Sequence, residues 1–247
     1  MKRIVSILLV VVLGYFVYTS LYVDGFDMAV SDNRQTSISD AYITKSVTSE
    51  NESVTYMEST DLENGSANIV TAIVTDYRSF DTLGEVTVLF LASIGVSMVL
   101  AGFTKKYQFK MKTNRILKTG ARLVVGLALV LGVYMFTHGH LSPGGGFPGG
   151  SIIGASILMM YLSEENFRAR MASFKWMESL AGTVYVLIGI IGLFVATYFL
   201  ENFLPTGTVG ALVSAGIIPI VYILIGLKVG SEVSGIIDQF LTEEVAS

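Results

Sequence analysis

Cysteine is absent from this chain, which excludes disulfides, thiolate metal sites and haem attached through cysteine. Histidine occurs twice, tryptophan once and proline four times in 247 residues. Charge is scarce too: 15% of residues are charged against 52% hydrophobic, and the mean hydropathy is +0.63. That balance excludes a soluble globular domain and describes an integral membrane protein. No Ser-His-Asp set, dinucleotide loop or nucleic-acid surface is present. The net charge of −4 says less than the way charge is segregated along the chain.

A helix needs roughly 17–25 apolar residues to cross a hydrocarbon core about 30 Å thick. Residues 4–23 form the first such run. It is too long for the core of a signal peptide, and Tyr18-Thr19-Ser20 is not an Ala-x-Ala cleavage site, so a retained span is expected. Residues 24–67 are acidic and polar; the alternation at 41–48 and 53–57 fits a small hairpin, and the composition fits disorder equally well. Further spans are expected at 83–103, 121–137, 151–162, 177–200 and 208–229. The fourth, at 151–162, would reach only about 18 Å, so it either takes up Phe147 to Gly150 as an extra turn or is partly re-entrant. Ile236, Ile237, Phe240 and Leu241 recur at helical spacing beside acids and predict a surface-lying amphipathic tail. The fold expected is all-α with about six transmembrane helices.

Cytoplasmic segments collect Lys and Arg. With the N-terminus inside, 13 of the 16 basic residues fall on inside segments, including the seven between Lys105 and Arg122. Segment 24–82, external in this arrangement, holds eleven acids against Arg34, Lys45 and Arg78. Both termini are therefore expected in the cytoplasm.

Two stretches can carry chemistry. The first is His138-Gly139-His140-Leu141-Ser142-Pro143-Gly144-Gly145-Gly146-Phe147-Pro148-Gly149-Gly150, which holds both histidines, two of the four prolines and six of the 25 glycines. Glycine frees the backbone and proline fixes it, so a shaped, non-helical segment between two spans is expected. A phosphate loop is disfavoured because no Lys-Ser/Thr follows the glycines. A metal site is disfavoured because His138 and His140 have no further histidine or cysteine to complete a set. Two readings stay open: a helix-breaking turn with interfacial histidines, or a broken backbone whose carbonyls and N–H groups face a hydrated cavity where histidine exchanges protons. The second stretch is Asp76, Arg78, Asp81 and Glu85 at the mouth of the second span. Thr82-Leu83-Gly84-Glu85 fits a capping box, and ionisable groups at such a place also belong to ion or proton routes. Glu178 reads as an interfacial partner of Lys175.

The run from Gly139 to Gly150 between two spans resembles the B subunit of Mrp-type multisubunit cation/proton antiporters. The run Asn68-Ile69-Val70 through Asp76-Tyr77-Arg78-Ser79-Phe80-Asp81-Thr82-Leu83-Gly84-Glu85 to Leu89 resembles the C-terminal extension of the antiporter A subunit, a module that is a separate small subunit in membrane-bound hydrogenase and sulfane-reductase complexes. The resemblance implies three segments: 1–104 as the A-extension-like module with the external loop 24–67, 105–120 as a basic cytoplasmic linker, and 121–247 as the B-like four-helix module. It implies a plasma-membrane subunit that is not an enzyme and binds no redox cofactor or metal. Its partners would be other subunits, membrane lipid, and Na⁺ and H⁺ as transported ions, with no nucleic acid. Carried over are Asp76, Arg78, Phe80, Asp81 and Glu85 in one half, and His140, Pro143, Gly144, Gly145, Gly146, Phe147, Gly149 and Gly150 in the other. Antiporter subunit, membrane-arm subunit of a related respiratory complex, and purely structural scaffold are the functions this implies. Glu85 stands ahead of either histidine as a proton-handling residue, with Pro148 shaping the break.

Overall fold

The structure, a computed structural model, describes residues 11–12, 15, 62–101 and 113–241. Two compact units divide the chain, Met1–Ala41 and Tyr42–Ser247; of the first, Val11, Val12 and Tyr15 are described, helical and exposed, and all that follows concerns the second. The expected first span, the 41–57 hairpin, most of the external loop and most of the basic linker lie outside the described residues.

Helix α1, Ile69–Ala72, runs into a π-helical turn, Ile73–Tyr77; α2 is Ser79–Ala101, α3 Arg115–Thr137, α4 Gly146–Ser163, α5 Met171–Val195 and α6 Ile218–Leu241. The last five are long and apolar enough to cross a membrane, and no strand occurs among the described residues.

Local chemistry explains where the bounds differ from expectation. α2 begins four residues before Leu83, so Thr82 and Glu85 are inside the helix and form no capping box. The Thr82 hydroxyl instead donates to the carbonyl of Val74, on the π turn, at 2.6 Å. α3 begins at Arg115 because the Asn114 side chain caps it, accepting from the Leu117 N–H at 2.8 Å. α4 takes up Phe147 to Gly150 as an extra turn, the first of the two alternatives expected for it, and Gly146 as well, so the non-helical part of the run is limited to residues 138–145. Pro148 is compatible with this because the first four N–H groups of a helix have no partner within it.

α5 starts six residues early and stops at Val195. There the Glu201 carboxylate accepts from the Thr197 and Tyr198 N–H groups at 2.7 and 2.6 Å and holds a turn. The expected span at 208–229 is the largest departure. Residues 207–217 are not helical, with Gly207, Gly210, Ala215 and Gly216 at positive φ, and α6 begins only at Ile218. It then continues without a break through the expected surface tail.

α6 is the central helix, in contact with α2, α3, α4 and α5. Its Ile218, Val221, Tyr222, Ile225 and Val229 form the buried core with Tyr185 and Ile188 of α5, Val86 of α2, and Leu200 and Ile217 of the connecting segment. The glycines of α4 set how closely it meets α6. A Cβ on Gly150 would lie 2.8 Å from the Gly226 carbonyl and from the Gly230 nitrogen, and one on Gly154 would run into the Val233 side chain. Spacing of four along both helices makes this the small-residue packing typical of membrane helices, where dispersion rather than water exclusion drives association.

Candidate functional site

Backbone at Gly144 and Gly145 has φ of +154° and +136°, a region that an L side chain rarely adopts, and there the chain turns from α3 into α4. A turn inside a membrane protein must find partners for its carbonyls. Residues 66–71 supply them. The Asn68 backbone N–H donates to the His140 carbonyl at 3.0 Å, and its side-chain amide donates to the Gly139 and Ser142 carbonyls, both at 3.1 Å. Thr71 donates to Gly139 O at 2.7 Å and Ser66 to His140 O at 2.8 Å. The reading in which these carbonyls face a hydrated cavity is corrected: they are satisfied by another part of the same chain.

The two histidines part company. His138 is half-buried, stacks on Tyr134 with ring centroids 4.4 Å apart, and has Nδ1 2.9 Å from the Thr137 hydroxyl. His140 is fully buried, with Nε2 3.1 Å from the Leu212 carbonyl and Nδ1 without a hydrogen-bond partner. A carbonyl only accepts, so Nε2 carries the proton and Nδ1 the lone pair. Burial lowers the pKa of His140 below 6.5. Among the described residues no three acidic or imidazole groups converge as a metal cage.

The acids before α2 are separated as well. Asp76, on the π turn, meets the side chain of Asn202, with Glu63 and Glu201 as neighbouring charges; burial raises its pKa to about 6. Arg78 and Asp81 form an exposed pair, with guanidinium Nη2 2.6 Å from the carboxylate. Glu85 is exposed on α2. The structure thus joins Asp76 to the 201–202 segment and His140 to the 211–212 segment, and leaves Arg78, Asp81 and Glu85 on an open face. Pro143 and Pro148 are exposed, Phe147 packs on the core, and Gly149 approaches Gly132 of α3, where a Cβ would lie 2.6 Å from the carbonyl.

Residues 116–235 match the family model of a domain related to the MnhB subunit of Na⁺/H⁺ antiporter, and residues 2–113 match the MbhE family model, a component of MBH. A putative antiporter subunit mnhB2 of Staphylococcus aureus (strain Newman) is 34% identical over 100 residues, covering 39% of this chain and 71% of that protein. The chain belongs to the MnhB-related antiporter-subunit family. An uncharacterised protein of Methanocaldococcus jannaschii is 30% identical over 190 residues, 66% of this chain and 72% of its own.

Among solved structures, one from the membrane-bound sulfane sulfur reductase, an archaeal respiratory membrane complex, superposes with a TM-score of 0.69 at 38% identity, covering 98% of this chain and 99% of that one. The Mrp complex of Dietzia sp. DQ12-45-1b shares the fold, with a TM-score of 0.64 at 23% identity over 96% of this chain and 26% of that one.

Sequence reasoning missed one buried feature of this MnhB-related chain. Lys228 falls at the end of the expected span 208–229, and Glu232 just beyond it, ahead of the residues that predict the surface tail. In α6 they form a buried ion pair with Nζ 2.5 Å from Oε1, and the ammonium lies 4.7 Å from the centroid of the Phe90 ring. The signal available was a basic and an acidic residue four apart inside an otherwise apolar helical run. The expected Lys175–Glu178 pair is not among the ion pairs of the described residues, whereas Arg122 and Glu164 are joined at 2.5 Å between α3 and the end of α4.

Proposed function

We propose that this chain is an accessory membrane subunit of a multisubunit monovalent cation (Na⁺)/proton antiporter, contributing to assembly and to an ion or proton route. The observation that carries it is the MnhB-related segment 116–235, whose glycine turn and α4–α6 packing build a continuous five-helix body with residues 62–101. In this reading 1–104, 105–120 and 121–247 are the extension-like module, the basic linker and the B-like module. The subunit lies in the plasma membrane with both termini in the cytoplasm, and it catalyses no reaction of its own. Asp76, Arg78, Asp81 and Glu85, with the half-buried His138, mark the route's external end in this reading, while the buried His140 holds the turn; the exposure of Glu85 on α2 supports a role opposite a neighbouring subunit.

A second reading makes the chain a membrane-arm subunit of a respiratory complex. It is favoured by the 38% identity over 98% of the chain to a sulfane sulfur reductase component. Affinity purification from native membranes decides between them. The antiporter reading expects other antiporter subunits to copurify without iron–sulfur proteins, and expects Glu85→Gln to lower Na⁺-driven proton exchange in vesicles while the complex still assembles. Iron–sulfur subunits in the purified complex would favour the second reading, and exchange unchanged by Glu85→Gln would remove that residue from the route.

A further inference from the structure

A cleft of about 350 Å³ opens between the C-terminal halves of α2 and α6 and the first turns of α5, at the end of the bundle away from the glycine turn. Phe90, Ser93 and Ser97 line it from α2, Lys175 and Glu178 from α5, and Ser231, Glu232 and Asp238 from α6. Two of the lining residues each carry a buried polar atom with no hydrogen-bond partner: the second carboxylate oxygen of Glu232, Oε2, and the hydroxyl of Ser231. These residues are 1% and 2% exposed. An unpaired carboxylate oxygen is costly to bury, and Lys228 is already engaged with the other oxygen, Oε1. The site is therefore built for something it does not itself supply.

The chemistry of the wall indicates what that is. Its polar atoms, apart from the ammonium and amide groups, are carboxylate and hydroxyl oxygens, which are hard donors that suit an alkali or alkaline-earth cation rather than a soft metal. Along the lining the acids Glu178, Glu232 and Asp238 stand against the single base Lys175, a wall that suits a cation rather than an anion. No three acids converge as a cage among the described residues, and the cleft has room for about ten waters at roughly 30 Å³ each, so the ion keeps part of its hydration shell. We propose that this cleft is a binding site for a partly hydrated Na⁺ ion, with Glu232 Oε2 and the Ser231 hydroxyl as its inner protein ligands and Lys228 holding the carboxylate in place. The choice of Na⁺ rests on the antiporter reading; the site itself rests on the cleft.

The test is retention of radiolabelled Na⁺ by the purified full-length chain in detergent, at constant ionic strength set with choline chloride. Saturable retention is expected, displaced by unlabelled Na⁺. Ser231→Ala removes a hydroxyl that bonds nothing in the fold, and it is expected to weaken retention at least five-fold. The double variant Lys228→Gln/Glu232→Gln, which leaves no lone buried charge, is expected to abolish it. Glu85→Gln is expected to leave it unchanged. Retention that does not saturate, or that survives in both Ser231→Ala and the double variant, overturns the site. Antiport by the assembled complex, measured in parallel, separates the two readings. Antiport without Na⁺ retention removes the cleft site alone, and retention without antiport removes the antiporter reading while the site stands.

Discussion

His140 and Asp76 are both ionisable groups at the turn end of the bundle, and burial acts on them in opposite directions. For His140, burial favours the neutral ring, so its contribution to stability is present above the ordinary pKa of 6.5 and is lost as pH falls through the lowered folded value. The resonance of the His140 ring, assigned by its loss in His140→Gln, is expected to hold constant between about pH 6.5 and 8. A titration within that range would show that the ring exchanges protons after all. Asp76 has its folded pKa raised to about 6 from 3.8, so the stability it contributes is full below about 4 and is lost as pH rises through about 6. Asp76→Asn keeps a polar group facing Asn202 and removes the charge. Allowing for its partial exposure, the variant is expected to gain about 1–2 kcal/mol at pH 7 and to flatten the melting temperature of the purified chain between pH 4 and 7.

At the scale of elements, helix contacts turn on glycines that look alike in the sequence. Gly150 and Gly226 lie where a Cβ would meet backbone or the Phe136 ring at under 3 Å, whereas Gly84, Gly95 and Gly126 have open space beside them. Gly150→Leu is expected to separate α4 from α6 and destabilise the chain by about 3 kcal/mol or more. Gly126→Ala is expected to be neutral or to stabilise by up to about 1 kcal/mol through helix propensity. Thermal unfolding followed by circular dichroism distinguishes them, and equal effects would overturn the packing assigned to α4. Helix positions were legible from the apolar runs, but helix ends were not. The departures at the start of α2, the end of α5 and the start of α6 go with side chains bonding backbone: Thr82 to Val74, Glu201 to Thr197 and Tyr198, and Asn202 to Ala215 and Ile217. Periodicity carries no record of such bonds.

At the scale of the molecule, residues 62–79 are tied to the other half of the chain by a set of hydrogen bonds. Asn68, Thr71 and Ser66 hold the 139–142 carbonyls, Thr206 holds the Leu62 carbonyl, and the Tyr185 hydroxyl donates to Ser79 O. These contacts do not require a covalent link. Coexpressed fragments 1–108 and 109–247 are therefore expected to copurify, and Asn68→Ala, which removes two of the capping bonds, is expected to weaken the association several-fold. Fragments that separate at once would show that the linker rather than the turn joins the halves.

Composition and hydrophobic runs alone determined that this is a helical membrane protein, and the Gly/Pro run with its upstream partner pointed to the family, because both depend on what the residues are. What only the tertiary structure decided was which polar groups meet. The carbonyls of the glycine turn are closed by Asn68, some seventy residues earlier. The histidines, adjacent but one in sequence, face different surroundings. A lysine and a glutamate at the expected end of the last span are a buried pair beside a cleft. Burial and hydrogen bonding depend on distances through space between residues far apart in the chain, and those exist only once the helices have packed.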